Sequence, residues 1–220
     1  MKKKAIFTFL TLLIPLMASA QWRVGVTAGG AYNHYSIDKQ YWYDYQYEGA
    51  WSPTIGVTGQ YDFNSWFGLR ADLSWTKKNH REYRRRLSDI DYKVKNDYLL
   101  LPVMATFSFG GEKLRGFCNL GVYGGYWLAS HVDGEMMGAM DSVVYKLDAK
   151  TEFMSERDQR WDCGLVGGLG LEYRIDSHWA AQAEVRCYYS TTSTVKDYQM
   201  RRQRRYNTTV GLQAGVAYRF

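Results

Sequence analysis

Residues 161–174 read Trp161-Asp162-Cys163-Gly164-Leu165-Val166-Gly167-Gly168-Leu169-Gly170-Leu171-Glu172-Tyr173-Arg174. Trp161, Cys163, Leu165, Leu169, Leu171 and Tyr173 fall on one parity and are apolar. The other parity holds Asp162, Gly164, Gly168, Gly170, Glu172 and Arg174. A period of two belongs to a strand with two unlike faces. An open aqueous face usually carries Lys and Glu. Glycine beside charges of both signs suits a crowded interior instead, so the apolar parity is read as the outer one.

Working outward, the same alternation marks strands near 22–32, 51–63, 66–76, 98–109, 116–128, 178–190 and 206–220. The last sets Thr208, Val210, Leu212, Ala214, Val216, Tyr218 and Phe220 against Thr209, Gln213 and Arg219. A tilted strand needs roughly 9–11 residues to cross a bilayer, and these segments supply them. Short connections fall at Asn64-Ser65, 110–113 and Ile175-Asp176-Ser177, and long ones at 33–50, 77–97, 129–159 and 191–205. The expectation is an all-β fold: a closed, antiparallel, up-and-down transmembrane β-barrel of about eight strands. Its long loops would be extracellular, and its short turns and both termini periplasmic. Closure is demanded because an open edge would leave backbone N–H and C=O groups unpaired in hydrocarbon.

The inward parity then defines a lumen charge network of Arg23, Arg70, Asp72, Asp162, Glu172, Arg174, Glu184, Arg186 and Arg219, with Asp62 on the same face. An eight-stranded barrel is just wide enough for side chains to fill it, so paired charges there argue for packing rather than an open pore. Aromatic residues gather at strand ends, among them Trp22, Trp51, Phe63, Trp66, Trp75, Trp127, Trp161, Trp179 and Phe220. Interfacial girdles predict that placement.

Lys2, Lys3 and Lys4 precede an apolar run from Ala5 to Met17 and then Ala18-Ser19-Ala20. That order is a signal peptide, expected to be cut after residue 20 to leave one barrel domain over 21–220. Losing those lysines halves the formal net charge of +6, which removes overall basicity as an argument for a nucleic-acid partner. The composition is rich in Tyr (19), Trp (8) and Gly (21) and poor in Pro (3). The cysteines, Cys118, Cys163 and Cys187, form neither a disulfide framework nor a zinc spacing and are read as small outward side chains.

Three stretches resemble the PorT-like outer-membrane β-barrel family: Tyr98-Leu99-Leu100-Leu101-Pro102-Val103, the glycine-rich 162–173, and Gly211-Leu212-Gln213-Ala214-Gly215-Val216-Ala217-Tyr218-Arg219-Phe220. The resemblance implies a barrel in the bacterial outer membrane, with the terminal aromatic Phe220 as the signal read by the barrel-insertion machinery. The alternative functions are an accessory role in an outer-membrane secretion or uptake complex, with an unknown membrane-protein partner, and, well behind it, a lipid A-modifying enzyme.

No catalytic, cofactor-binding or metal-ligating residues are expected. His34 with Ser36 has the residue types of a lipid A-modifying site but no orienting partner, and His80, His131 and His178 are expected in loops or turns. The loops carry the candidate contacts. The first is aromatic and the third acidic, whereas the second and fourth hold Arg84, Arg85, Arg86, Arg201, Arg202, Arg204 and Arg205. Guanidinium forks suit phosphates, so these arginines are expected to meet lipopolysaccharide or another anionic polymer. The function expected is a structural or binding barrel acting through its surface loops.

Overall fold

A computed structural model describes residues 21–37, 45–84, 90–137, 143–196 and 204–220. The strands are β1 (Gln21–Ile37), β2 (Tyr45–Asp62), β3 (Phe67–Lys77), β4 (His80–Arg84) and β5 (Ile90–Gly110). They continue with β6 (Leu114–Met137), β7 (Val144–Lys150), β8 (Trp161–Arg174), β9 (Trp179–Ser190) and β10 (Arg205–Arg219). Eight of them close a ring in the order β1-β2-β3-β5-β6-β8-β9-β10, every neighbour antiparallel. The seam is the β1–β10 ladder, running from Arg23↔Arg219 to Ile37↔Arg205. β4 and β7 are extra strands at the long-loop end.

The barrel is polar inside and apolar outside. Leu169 is 64% exposed while Arg186 is 1% exposed. Burying a large apolar side chain is worth roughly 1.5–3 kcal/mol, so a belt of exposed Val, Leu and Trp side chains calls for lipid to cover it. The short turns are set by their own side chains. The Asn64 carboxamide oxygen accepts from the N–H groups of Trp66 and Phe67 at 3.0 and 2.7 Å. The Asp176 carboxylate accepts from His178 and Trp179, each at 2.7 Å. Gly110 ends β5 at φ +115°, a left-handed conformation that glycine adopts without steric cost.

Two expectations are corrected. The stretches 33–50, 77–97 and 129–159 are in large part strand, since β1, β2, β5 and β6 continue past the belt and β4 and β7 join them. Above the bilayer both sheet faces are wet, so apolar alternation disappears while backbone pairing goes on. Trp127, expected in an interfacial girdle, turns inward and stacks on Tyr98 at 5.8 Å. The register shifts beside it, with Tyr98 opposite Trp127 and Asp97 opposite Ala129. Leu128 is therefore the extra residue of a bulge that reverses the parity of the rest of β6.

Candidate functional site

Inward positions repeat every second residue, so each strand delivers a column of side chains to the lumen. Next to the short turns, Arg23 grips Asp62 through Nε at 2.7 Å and Nη2 at 2.8 Å, and its Nη1 reaches Glu172. Gln60 donates to the same Asp62 at 2.8 Å. Deeper in, β3 and β9 face one another across the barrel. Asp72 is held by Arg70 at 2.9 Å and by Arg186 at 2.7 Å. Glu184 takes Arg186 at 2.6 Å and Arg70 at 3.4 Å, with Asn119 donating to it at 2.8 Å. Water has almost no access to this quartet, so its charges are screened chiefly by each other.

Toward the long loops the filling turns apolar, with Tyr98, Leu100, Met104, Tyr123, Val166 and Tyr188 in contact. Above it the Lys78 ammonium binds Asp162 at 2.6 Å and lies over the rings of Tyr98 and Tyr123 at 4.9 and 5.3 Å. Tyr123 and Ser190 also donate to Asp162, at 3.0 and 2.6 Å. Highest of all, His80 pairs with Glu82 at 3.2 Å and stacks on Tyr35 at 4.1 Å, and Tyr92 donates to Glu82 at 2.6 Å. Burial pushes the Glu82 carboxyl up, but the His80 and Tyr92 hydrogen bonds outweigh it and leave it below the usual carboxylate range.

Lys78, His80 and Glu82 were expected in a solvated loop. They sit inside because they continue the even parity of Arg70, Asp72, Ser74 and Thr76, the signal by which sequence reasoning would have found them. Of the network read from sequence, Arg23, Arg70, Asp72, Asp162, Glu172, Glu184 and Arg186 come together in buried ion pairs. Arg174 and Arg219 do not join them. Both stop half-buried at the short-turn mouth, and neither has an ion pair among the described residues.

The loop arginines divide. Arg204 is exposed, Arg84 is half-buried, and Arg205 turns inward toward Tyr35 and Glu82. Arg85, Arg86, Arg201 and Arg202 lie outside the described residues. The basic second and acidic third stretches form one sheet, in which Arg81 binds Asp91 at 2.5 Å and Lys95 binds Asp133 at 2.7 Å. Those hydrogen bonds hold Asp91 and Asp133 below the usual carboxylate range. His131 meets Asp148 at 2.8 Å. Part of the positive field expected there is thus cancelled, by Asp91 within the same stretch and by Asp133 from β6. His34 and Ser36 are exposed on β1, and His178 stacks on Tyr218 at the opposite end. Phe220 packs on Tyr218 at 5.1 Å, and its N–H donates to the Trp22 carbonyl at 3.0 Å. Among the described residues no group of His, Cys, Asp and Glu is arranged to hold a metal ion.

Solved outer-membrane proteins share this architecture. The chain is similar to OprG from Pseudomonas aeruginosa at 16% identity and a TM-score of 0.54, covering 90% of this chain and 95% of that one. Neisserial surface protein A matches at 16% identity and 0.50, covering 90% and 97%. A major outer membrane protein from Thermus thermophilus matches at 11% and 0.50, covering 92% and 100%. At such identities the likeness is one of fold. No curated protein matches the chain. The sequence profile described as "Outer membrane protein beta-barrel domain" matches residues 6–220. By that match over nearly its whole length, the chain belongs to the outer membrane protein beta-barrel domain family.

Proposed function

We propose that this barrel is a closed scaffold that holds a binding surface above the outer membrane. In this reading residues 1–20 are a cleaved signal, the short turns and both termini are periplasmic, and the long-loop end faces outward. One observation carries it. The Arg70–Asp72–Glu184–Arg186 quartet fills the lumen with almost fully buried charge, while β4, β7 and the ends of β2, β5 and β6 continue as sheet beyond the apolar belt. A path for solutes would have to break that quartet, and one charge stranded by such a break costs about 3–5 kcal/mol. The purified protein in a planar lipid bilayer should show no open-pore current; stable unitary conductance steps would overturn the reading.

The partner we favour for the outward end is an anionic surface polymer, with lipopolysaccharide phosphate the nearest source. Arg204 is exposed and would meet it, and the arginines at 85, 86, 201 and 202, outside the described residues, join the proposal from their sequence alone. Replacing Arg201, Arg202 and Arg204 with Gln should lower retention on immobilised lipopolysaccharide and flatten its salt dependence. Retention equal to the parent protein removes the polymer from the proposal.

A further inference from the structure

The opposite mouth carries a charge arrangement that neither the lumen packing nor the outward surface uses. Inward positions at the short-turn end bring Arg23, Arg174 and Arg219 around one cleft, closed on one side by the 176–178 turn. The acids nearby are already engaged. Asp62 and Glu172 both bind Arg23. Asp176 is turned onto the backbone N–H groups of its own turn, which hold it below the usual carboxylate range. That leaves Arg174 and Arg219 with no ion pair among the described residues. The Arg219 Nε is buried and has no hydrogen-bond partner among them. A buried guanidinium N–H without a partner is costly, and Arg219 also lines the cleft.

We propose that this mouth is a binding site for a phosphate oxyanion, gripped by the forks of Arg174 and Arg219 with Arg23 beneath them. Two planar guanidiniums match phosphate oxygens in number and direction, and each N–H···O⁻ bond is charge-assisted. The site's position selects the chemistry. Trp22, Trp66, Tyr173, Trp179 and Phe220 stand exposed on the outer surface of this same end, and Trp179 also borders the cleft. An aromatic collar marks headgroup depth in a bilayer, where phosphate is the abundant anion. The ligand is a phospholipid headgroup reaching over the rim, or free phosphate entering from the water side.

Two arms separate the sources. In the first, the folded protein in a non-ionic detergent is titrated with inorganic phosphate and followed by phosphorus-31 relaxation. In the second, native mass spectrometry follows retention of phosphatidylglycerol by protein released from mixed-lipid nanodiscs. Binding in the first arm alone assigns free phosphate, and binding in the second assigns the lipid. In whichever arm binds, Arg174→Gln with Arg219→Gln should weaken it about tenfold or more, while Lys146→Gln, exposed on β7 at the far end, should not. Should the double variant fail to fold, judged by its heat-dependent gel mobility, each single variant carries the test with an expected loss of about threefold. Absence of binding in both arms, or equal binding by the variants, overturns the site.

Discussion

Asp72 is held between two guanidiniums, and Arg186 between two carboxylates, so each charge in the quartet has one partner on its own strand and one on the opposite wall. Removing one member strands the others in a place where water cannot solvate them, whereas removing all of them leaves a smaller penalty. Arg186→Met alone should therefore cost about 3–5 kcal/mol, read as a lower urea midpoint for unfolding from lipid vesicles followed by tryptophan fluorescence. Arg186→Met combined with Arg70→Met, Asp72→Asn and Glu184→Gln, which leaves no charge of the quartet unpaired, should recover part of that loss. A quadruple variant no more stable than the single one would show that the quartet does not act as a unit. At this scale the sequence was legible where parity was clean: Arg70 and Asp72, or Glu184 and Arg186, stand two apart and must share a face. It was silent about partners, because Lys78 meets Asp162 across 84 positions and nothing local encodes that meeting.

Strands past the belt obey different physics from strands within it. Inside the belt, side-chain hydrophobicity reports which face a residue takes, so the segments near 66–76 and 206–220 were readable as strands without a structure. Above it, β4 and β7 are held by ladder hydrogen bonds and cross-strand ion pairs, and a stretch such as His80–Arg84 looks like a solvated loop. The bulge at Leu128 adds to this by reversing the parity of β6 just where apolar alternation stops. The outer sheet should also answer to pH separately from the barrel. Hydrogen bonds from Arg81 and Lys95 hold Asp91 and Asp133 below the ordinary carboxylate value of 3.8, so their contribution is present above that pH. It is lost as the pH falls through the lower folded values. Amide exchange compared at neutral pH and near pH 3, after correction for the intrinsic rate, should show protection lost in 90–95 and 131–135 and kept in β8 and β9. Equal loss in both regions would contradict a sheet that loosens on its own.

Across the whole molecule the outer sheet and the barrel meet at a clamp. Trp127 lies between Tyr98 at 5.8 Å and Phe153 at 4.8 Å. Arg160 covers Tyr126 and Phe153 at 4.5 and 4.4 Å and donates to the carbonyls of Trp127 and Leu128 at 2.9 and 3.2 Å. Below the clamp the ring closes on itself and lipid covers the belt; above it, among the described residues, the β6–β7 hairpin pairs with the ring through β5. Closure, burial of the lumen charges and insertion therefore do not require the hairpin. Replacing residues 132–149 with Asn-Gly, a two-residue hairpin turn, would join His131 to Lys150, which already face one another. The shortened chain should insert into vesicles with the parent's yield, keep its heat-dependent gel mobility and unfold at a similar urea concentration. It should lose the Lys95–Asp133 pair and the β5–β6 ladder over 90–94, and with them the part of the amide protection there that β4 does not supply. Failure to insert would make the hairpin part of what closes the barrel, and the division between a lipid-borne ring and a separately stabilised outer sheet would fall.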